Sequence, residues 1–311
     1  MNGETTLGRF DTQTALVGAG TGAEMTLVLT VVMTVAAAVI FVAVMGVAWW
    51  AWRRETNVRP WWVWTGGVVV PVITLALLVV GSSLTLAAIG EVDEEPAVIE
   101  VTGHQYWWDV IHDPRDRSLR DANEIVLPVD QPVTLRLKSE DVIHSFWVPS
   151  ISGKMDMIPG RTNALTVTAT RIGRFRGQCA EFCGLSHPLM AFEVVVVSTE
   201  NYAAYLDGLE TEARDADTLQ RTRGRDVFIE AGCPACHAIR GVAEGARIGP
   251  DLTRVGGRAS LGAGMWAMNV GNLAGWIADV QDMKPGAQMP SYNHLSGPDL
   301  RAVAHYLESL K

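Results

Sequence analysis

Two long apolar runs dominate the first third of the chain. Met25 to Trp52 is 28 residues without a charged side chain, and Trp61 to Gly90 is another 30. At 1.5 Å per residue each makes a helix of roughly 40 Å, longer than the ~30 Å hydrocarbon core of a bilayer. The pattern predicts two transmembrane helices, 25–52 and 61–90, joined by a short loop. Pro71 would break a soluble helix but is tolerated in a membrane helix whose neighbours satisfy the freed carbonyl. Gly46, Gly66, Gly67 and Gly81 permit close helix packing and are read as ordinary membrane-helix composition. A cleaved signal peptide fits the first run poorly. Twenty-four acid-leaning residues precede it instead of a short basic region, and the run exceeds an ordinary signal core.

From Ala97 the period changes to two. Apolar and polar residues alternate in Val98–Thr102, Ile125–Val129, Val133–Lys138, Ala164–Ala169 and Phe192–Val197, with turn residues between. This predicts a β-sandwich or small barrel over 91–200. Residues 201–218 read as a polar linker with one short helix, Asn201 to Leu209. Residues 219–311 then read as a small all-α domain ending in a helix from Gly297 to Leu310. The fold class is therefore multidomain: an outer N-terminal segment (1–24), a transmembrane hairpin, an all-β sandwich and an all-α domain.

Charge orients this arrangement. The loop from Arg53 to Pro60 carries Arg53, Arg54 and Arg59 against Glu55, net +2, whereas residues 1–24 are net −2, 91–200 net −7 and 201–311 net −2. The positive-inside rule places the Arg loop in the cytoplasm and both termini on the outer face. Trp49, Trp50, Trp52, Trp61, Trp62 and Trp64 flank that one loop as an interfacial belt should. Mean hydropathy is +0.16 and net charge −9 over 311 residues. A simple soluble enzyme, a disordered chain and a basic nucleic-acid binder are excluded.

Two loops carry chemistry. Between the last two predicted strands, Cys179, Cys183, His187 and Met190 fall within twelve residues, and His144 lies upstream after a predicted strand. Thiolate, imidazole and thioether together suit copper, whereas structural zinc favours paired Cys knuckles without Met. A Cys179–Cys183 disulfide is the competing reading and leaves the His and Met unexplained. A mononuclear blue-copper site needs one Cys. Two Cys, two His and one Met suit two coppers bridged by two thiolates, with a backbone carbonyl completing the set. The other loop is Cys233-Pro234-Ala235-Cys236-His237, the haem c attachment pattern of two thioether cysteines and a proximal His. A thioredoxin-like pair would need a βαβ setting and leaves His237 idle.

The copper loop resembles the dinuclear CuA loop of cytochrome c oxidase subunit II. The layout of two N-terminal membrane helices and an external cupredoxin-like sandwich is similar too. So are Gly103-His104-Gln105-Tyr106-Trp107-Trp108, placed before the second strand, and Lys154–Arg161. The resemblance covers about 14–200. It implies Cys179 and Cys183 as bridging thiolates, His144 and His187 as imidazole ligands, Met190 as the weak ligand and the Glu181 carbonyl on copper. It also implies magnesium at the Glu181 carboxylate, shared with the catalytic subunit because one carboxylate cannot build an octahedral site. The family admits electrons at the first aromatic after Gly-His-Gln. Here that is Tyr106 rather than Trp, leaving Tyr106, Trp107 and Trp108 as candidates. Glu55, the nearest acid to the second helix, receives no proton-path role.

Residues 219–311 resemble a class I cytochrome c. The resemblance implies that Pro250 orients His237 through its carbonyl, and that Met289, before Pro290 and the terminal helix, is the second axial ligand. Met265, Met268, Met283 and His294 compete with it. Trp266 and Trp276 are read as packing. His–Met ligation raises the potential, suiting a donor to copper.

The implied function is an electron-transfer subunit of a respiratory haem-copper terminal oxidase on the bacterial plasma membrane. Electrons run from an external donor, such as a cytochrome c or a cytochrome bc complex, to haem c, to CuA and to a catalytic subunit that reduces oxygen and pumps protons. No His lies in a predicted membrane helix, so oxygen reduction belongs to the partner. The CuA subunit of a nitric oxide reductase, a free-standing membrane-tethered carrier and a copper-metallation protein are the alternatives.

Overall fold

The structure, a computed structural model, describes residues 13–53, 59–90 and 96–311. Arg54, Glu55 and the first twelve residues of the N-terminal segment lie outside the described residues.

Helix α1 spans Thr21–Arg53. The second apolar run forms α2 (Pro60–Trp64), a π-helical stretch (Thr65–Val69) and α3 (Val70–Gly90). Pro71 explains the interruption. It has no N–H for the ladder, and the preceding Val70 N–H reaches back five residues to the Thr65 carbonyl. Both runs are long and apolar enough to cross a membrane. Only Gly22 and Ala23 of α1 are buried, and a Cβ added at Gly46, Gly66, Gly67 or Gly81 would meet nothing. Helices apolar all round and left almost wholly exposed by their own chain require lipid or another subunit.

Helix α1 begins four residues before the uncharged run because the sandwich holds its first turn. Ala19 and Ala23 N–H groups donate to the Ser150 and Ile151 carbonyls at 2.8 and 3.2 Å, and the Thr170 hydroxyl donates to Glu24. A Cβ on Gly20 would stand 2.5 Å from the Ile151 oxygen, so glycine allows this seating.

The sandwich has two five-stranded sheets. One runs β3 (Leu119–Ala122), β2 (Trp107–His112), β1 (Ala97–His104), β5 (Pro132–Ser139), β8 (Asn163–Thr168). The other runs β4 (Glu124–Pro128), β10 (Ala191–Val197), β9 (Gly173–Cys179), β6 (His144–Trp147), β7 (Met155–Met157). The pairs β1–β5 and β4–β10 are parallel; the others are antiparallel. Ile99 and Val101 of β1 and Val133, Leu135 and Leu137 of β5 point inward, against Phe146, Phe175 and Phe192. One sequence expectation gains a detail and another changes. His144 follows β5, as expected, but itself opens a further strand, β6, and Trp107 and Trp108 begin β2 instead of preceding it.

Helix α4 (Thr199–Glu210) is capped by the Ser198 hydroxyl and lies on the sandwich. Tyr205 Oη donates to Asp121 at 2.9 Å, and Tyr202 Oη stands 3.4 Å from buried His112. The first half of the expected linker is thus a docked helix. Beyond it come α5 (Leu219–Glu230), a small hairpin of β11 (Ser260–Leu261) and β12 (Trp266–Ala267), α6 (Val270–Ala278), α7 (Val280–Met283) and α8 (Gly297–Ser309). Helix α5 crosses α8 at Gly224, where a Cβ would stand 2.1 Å from the Ala302 oxygen. Val227, Phe228, Val303, Tyr306 and Leu307 fill the core beside the crossing.

The helical domain sits directly on the sandwich. Buried Arg258 pairs with buried Asp121 at 2.7 Å, Arg176 donates to the Gly264 oxygen at 2.9 Å, and the Ala191 N–H donates to the Ala263 oxygen at 3.0 Å.

Candidate copper and haem sites

The end of β9, the following loop and the start of β6 bring the soft donors together. Cys179 and Cys183 are buried and free, with Sγ atoms 3.9 Å apart, nearly twice a disulfide bond. Cys179 Sγ lies 3.8 Å from His144 Nδ1 and 3.2 Å from the Glu181 oxygen. Cys183 Sγ lies 3.6 Å from His187 Nδ1 and 3.7 Å from Met190 Sδ. All six residues singled out in the sequence therefore surround one point. The donor set of two thiols, two imidazoles, a thioether and a carbonyl fits copper. The hydrogen bond from Cys183, then the one with His144, holds the Cys179 thiol well below its ordinary range, and the neighbouring thiolate pushes Cys183 up. A metal ion would replace the remaining proton.

Sequence reasoning missed the residues that aim these ligands. His144 Nε2 lies 2.8 Å from Asp141, which leaves Nδ1 facing the cysteines. The Gln105 N–H donates to the same carboxylate at 2.7 Å, and the Gln105 amide donates to the Cys183 oxygen at 2.5 Å. Asp141, three residues before His144, was a visible signal. Gln105 was not, because its two bonds span 36 and 78 residues. The Glu181 carboxylate points outward and is exposed.

In the helical domain a cavity of about 300 Å³ is lined by Cys233, Cys236, His237, Met268 and Met289. His237 Nδ1 lies 2.8 Å from the Pro250 oxygen, which fixes the tautomer and turns Nε2 inward. Burial lowers the His237 pKa, keeping the imidazole neutral, as a metal ligand must be. Gly249 packs against this ring; a Cβ there would stand 2.6 Å from it. Two thiols, an oriented His and apolar walls fit a covalently held haem. Of the competing axial ligands only Met268 and Met289 reach the cavity; Met265, Met283 and His294 do not line it.

The two sites meet. Gln105, Tyr106 and Trp107 of the sandwich close one side of the haem cavity. Tyr106 is 5% exposed, and Gly184 of the cysteine loop sits against it, where a Cβ would be 2.5 Å from Tyr106 Oη. Trp107 stacks on His104 at 4.4 Å, while Trp108 is fully buried against Phe146 and Phe192 as sandwich core. Trp276 lines the cavity beside Trp266, with ring centroids 5.8 Å apart.

The periplasmic-domain family of cytochrome c oxidase subunit II matches residues 109–198, and the cytochrome c family matches 222–311. The chain is 37% identical over 254 residues to cytochrome c oxidase subunit 2 of Alkalihalophilus pseudofirmus, covering 80% of this chain and 72% of that one. It is 33% identical over 267 residues to the Bacillus subtilis protein of the same name, covering 80% and 73%. The crystal structure of the periplasmic domain of subunit II of cytochrome oxidase of Bradyrhizobium japonicum is 28% identical, covering 39% of this chain and 96% of that one with a TM-score of 0.36. The first family implies copper and the second implies haem. A membrane anchor, a copper-type sandwich and a haem-type helical domain in one chain, with this identity over this length, make the protein a member of the cytochrome c oxidase subunit II family, an electron-transferring subunit of an oxidoreductase complex.

Proposed function

We propose that the chain is the electron-admitting subunit of a haem-copper terminal oxidase that reduces oxygen to water with proton pumping. When bound, covalent haem and a copper pair would supply one-electron centres, and the chain would accept electrons from an external donor in its helical domain and pass them through its sandwich to a catalytic subunit I. One observation carries this reading: the wall of the haem cavity and the support of the cysteine loop are the same residues, Gln105 and Tyr106.

Each residue has a definite part. Cys233 and Cys236 would anchor haem, and His237, held by Pro250, and Met289 would ligate it. Cys179, Cys183, His144, His187, Met190 and the Glu181 carbonyl would hold copper. Asp141 holds His144. Trp108 is core, so Tyr106 and Trp107 remain as the aromatic contacts between the centres. The exposed Glu181 carboxylate is free to share magnesium with a partner chain. Closure of the cavity by the sandwich makes transfer intramolecular, replacing diffusional docking of a carrier.

The domain plan of 1–24, 25–90, 91–200, 201–218 and 219–311 belongs to this reading, with the outer face of a bacterial plasma membrane for both termini. Native purification tests it. The reading expects two coppers and one covalent haem per chain, a co-purifying haem-copper subunit and oxygen consumption. Nitric oxide consumption instead would move the chain to a reductase, and isolation of the chain alone with both metals would make it a tethered carrier.

A further inference from the structure

Lys284 is 2% exposed, and it forms no ion pair among the described residues. Its ammonium donates to two backbone carbonyls. One is Tyr106 of the sandwich, at 2.7 Å; the other is Gly262 of the helical domain, at 2.8 Å. A buried charge without a carboxylate is costly, and burial pushes the Lys284 pKa down to about 7. Such a group persists where its hydrogen bonds hold something in place.

What they hold is the junction. Lys284 opens the turn that leads to Met289, and it lines the haem cavity. The next residue, Pro285, accepts a hydrogen bond from Ser186 of the cysteine loop at 2.7 Å. Gly286, at φ +79°, brings its backbone against Leu185 and Tyr106; a Cβ there would be 3.4 and 3.6 Å from their side chains. Three consecutive residues of the methionine turn thus seat on Tyr106 and on the loop between Cys183 and His187. Other bonds across the seam, Arg258–Asp121, Arg176–Gly264, Ala191–Ala263 and Ala259–Glu124, tie the helical domain to strands β3, β9, β10 and β4 and do not involve the methionine turn.

We propose that Lys284 is a positioning residue for electron transfer between the two centres: it latches the Met289 turn to the Tyr106 backbone and so fixes the haem cavity against the cysteine loop. The inference rests on the relay reading above. A lysine stem is long enough to cross from one domain to the other, and its ammonium satisfies two carbonyls at once, which no apolar residue of that volume does. Loss of charge-assisted bonds to two carbonyls shifts the ratio of seated to unseated turn by about ten- to a hundredfold.

The test uses the intact oxidase complex carrying Lys284→Met or Lys284→Arg. Three quantities are measured: the rate at which photoreduced haem passes its electron to copper, the optical signatures of Met-ligated haem and of the copper pair, and amide hydrogen exchange at 105–108 and 261–264. Lys284→Met is expected to keep both signatures, slow the transfer at least about tenfold and speed the exchange, with Lys284→Arg recovering most of the rate. An unchanged rate and exchange in Lys284→Met overturns the latch. A changed haem signature overturns it too, because Lys284 would then act on iron ligation. Should Lys284→Met fail to assemble, Ser186→Ala loosens the same turn at Pro285: a slowed transfer supports the latch, and an unchanged one overturns it. A wild-type complex in which haem never reduces copper defeats the relay reading, and hydrogen exchange alone then decides the latch.

Discussion

Glu124 offers the sharpest quantitative prediction. It sits at the seam with Asp121 and Glu193, and among the described residues Arg174 and Arg258 pair with these three carboxylates, with Arg176 acting on Glu193 as well. Burial first, then the negative charge of Asp121, pushes the Glu124 pKa from 4.5 up to about 7. The folded protein therefore binds this proton more tightly than the unfolded chain does. Stability falls as pH rises from 4.5 to 7 and is flat on either side, as far as this group is concerned. At 1.36 kcal/mol per pKa unit the accumulated cost above pH 7 is about 3 kcal/mol. Glu124→Gln cannot ionise, yet it keeps an oxygen for the Ala259 N–H, which Glu124 accepts at 3.3 Å. The variant should match wild type at pH 4.5 and exceed it by up to about 3 kcal/mol at pH 8. Urea unfolding of the outer domains of the detergent-purified chain reads this directly. With a slope near 2 kcal/mol/M, the midpoint should rise by about 1.5 M at pH 8 and not at all at pH 4.5. Equal shifts at both pH values, or a loss at pH 8, would refute the reasoning, because Glu124 would then be ionised and well paired in the fold.

Three further outcomes follow from single contacts. Asp141→Asn removes the carboxylate that orients His144 and should weaken copper binding about 10- to 100-fold in a chelator competition, with haem content unchanged. Met289→Ala should abolish the far-red band of Met-ligated ferric haem while Met268→Ala retains it, although both side chains line the cavity; the reverse pattern would exchange their roles. Gly224→Ala places a Cβ 2.1 Å from the Ala302 oxygen and should destabilise the helical domain by about 1–3 kcal/mol, read by haem-monitored unfolding.

The candidate sites were legible in the sequence because each is local. Cys179 to Met190 and Cys233 to His237 are each a short stretch whose residue types have few other uses, and hydropathy over 28 residues fixes a membrane helix regardless of context. Five strands were readable where one face is buried, as in Val133, Leu135 and Leu137. Strands β2, β6 and β9 were not, for two reasons. Trp107–His112 and His144–Trp147 are buried on both faces and show no alternation, while Gly173–Cys179 places glycines at two inward positions, 173 and 177, so its inner face carries little apolar signal between Arg174, Arg176 and Gln178. The seam was invisible for a different reason. Arg258, Lys284 and Gln105 look like ordinary surface polar residues, and their partners lie 137, 178 and 78 residues away. The helix at 199–210 was foreseen, but its docking depends on Tyr205 finding Asp121 across 84 residues.

The central claim is that one chain relays electrons from its haem to its copper pair across the Gln105–Tyr106 wall. Flash photoreduction of the haem in the intact complex, followed at the mixed-valence copper absorption, tests it. Copper reduction should rise with the same time constant as haem reoxidation, and that constant should not change on dilution. Copper that stays oxidised while the haem reoxidises, or a rate that falls with protein concentration, would contradict it.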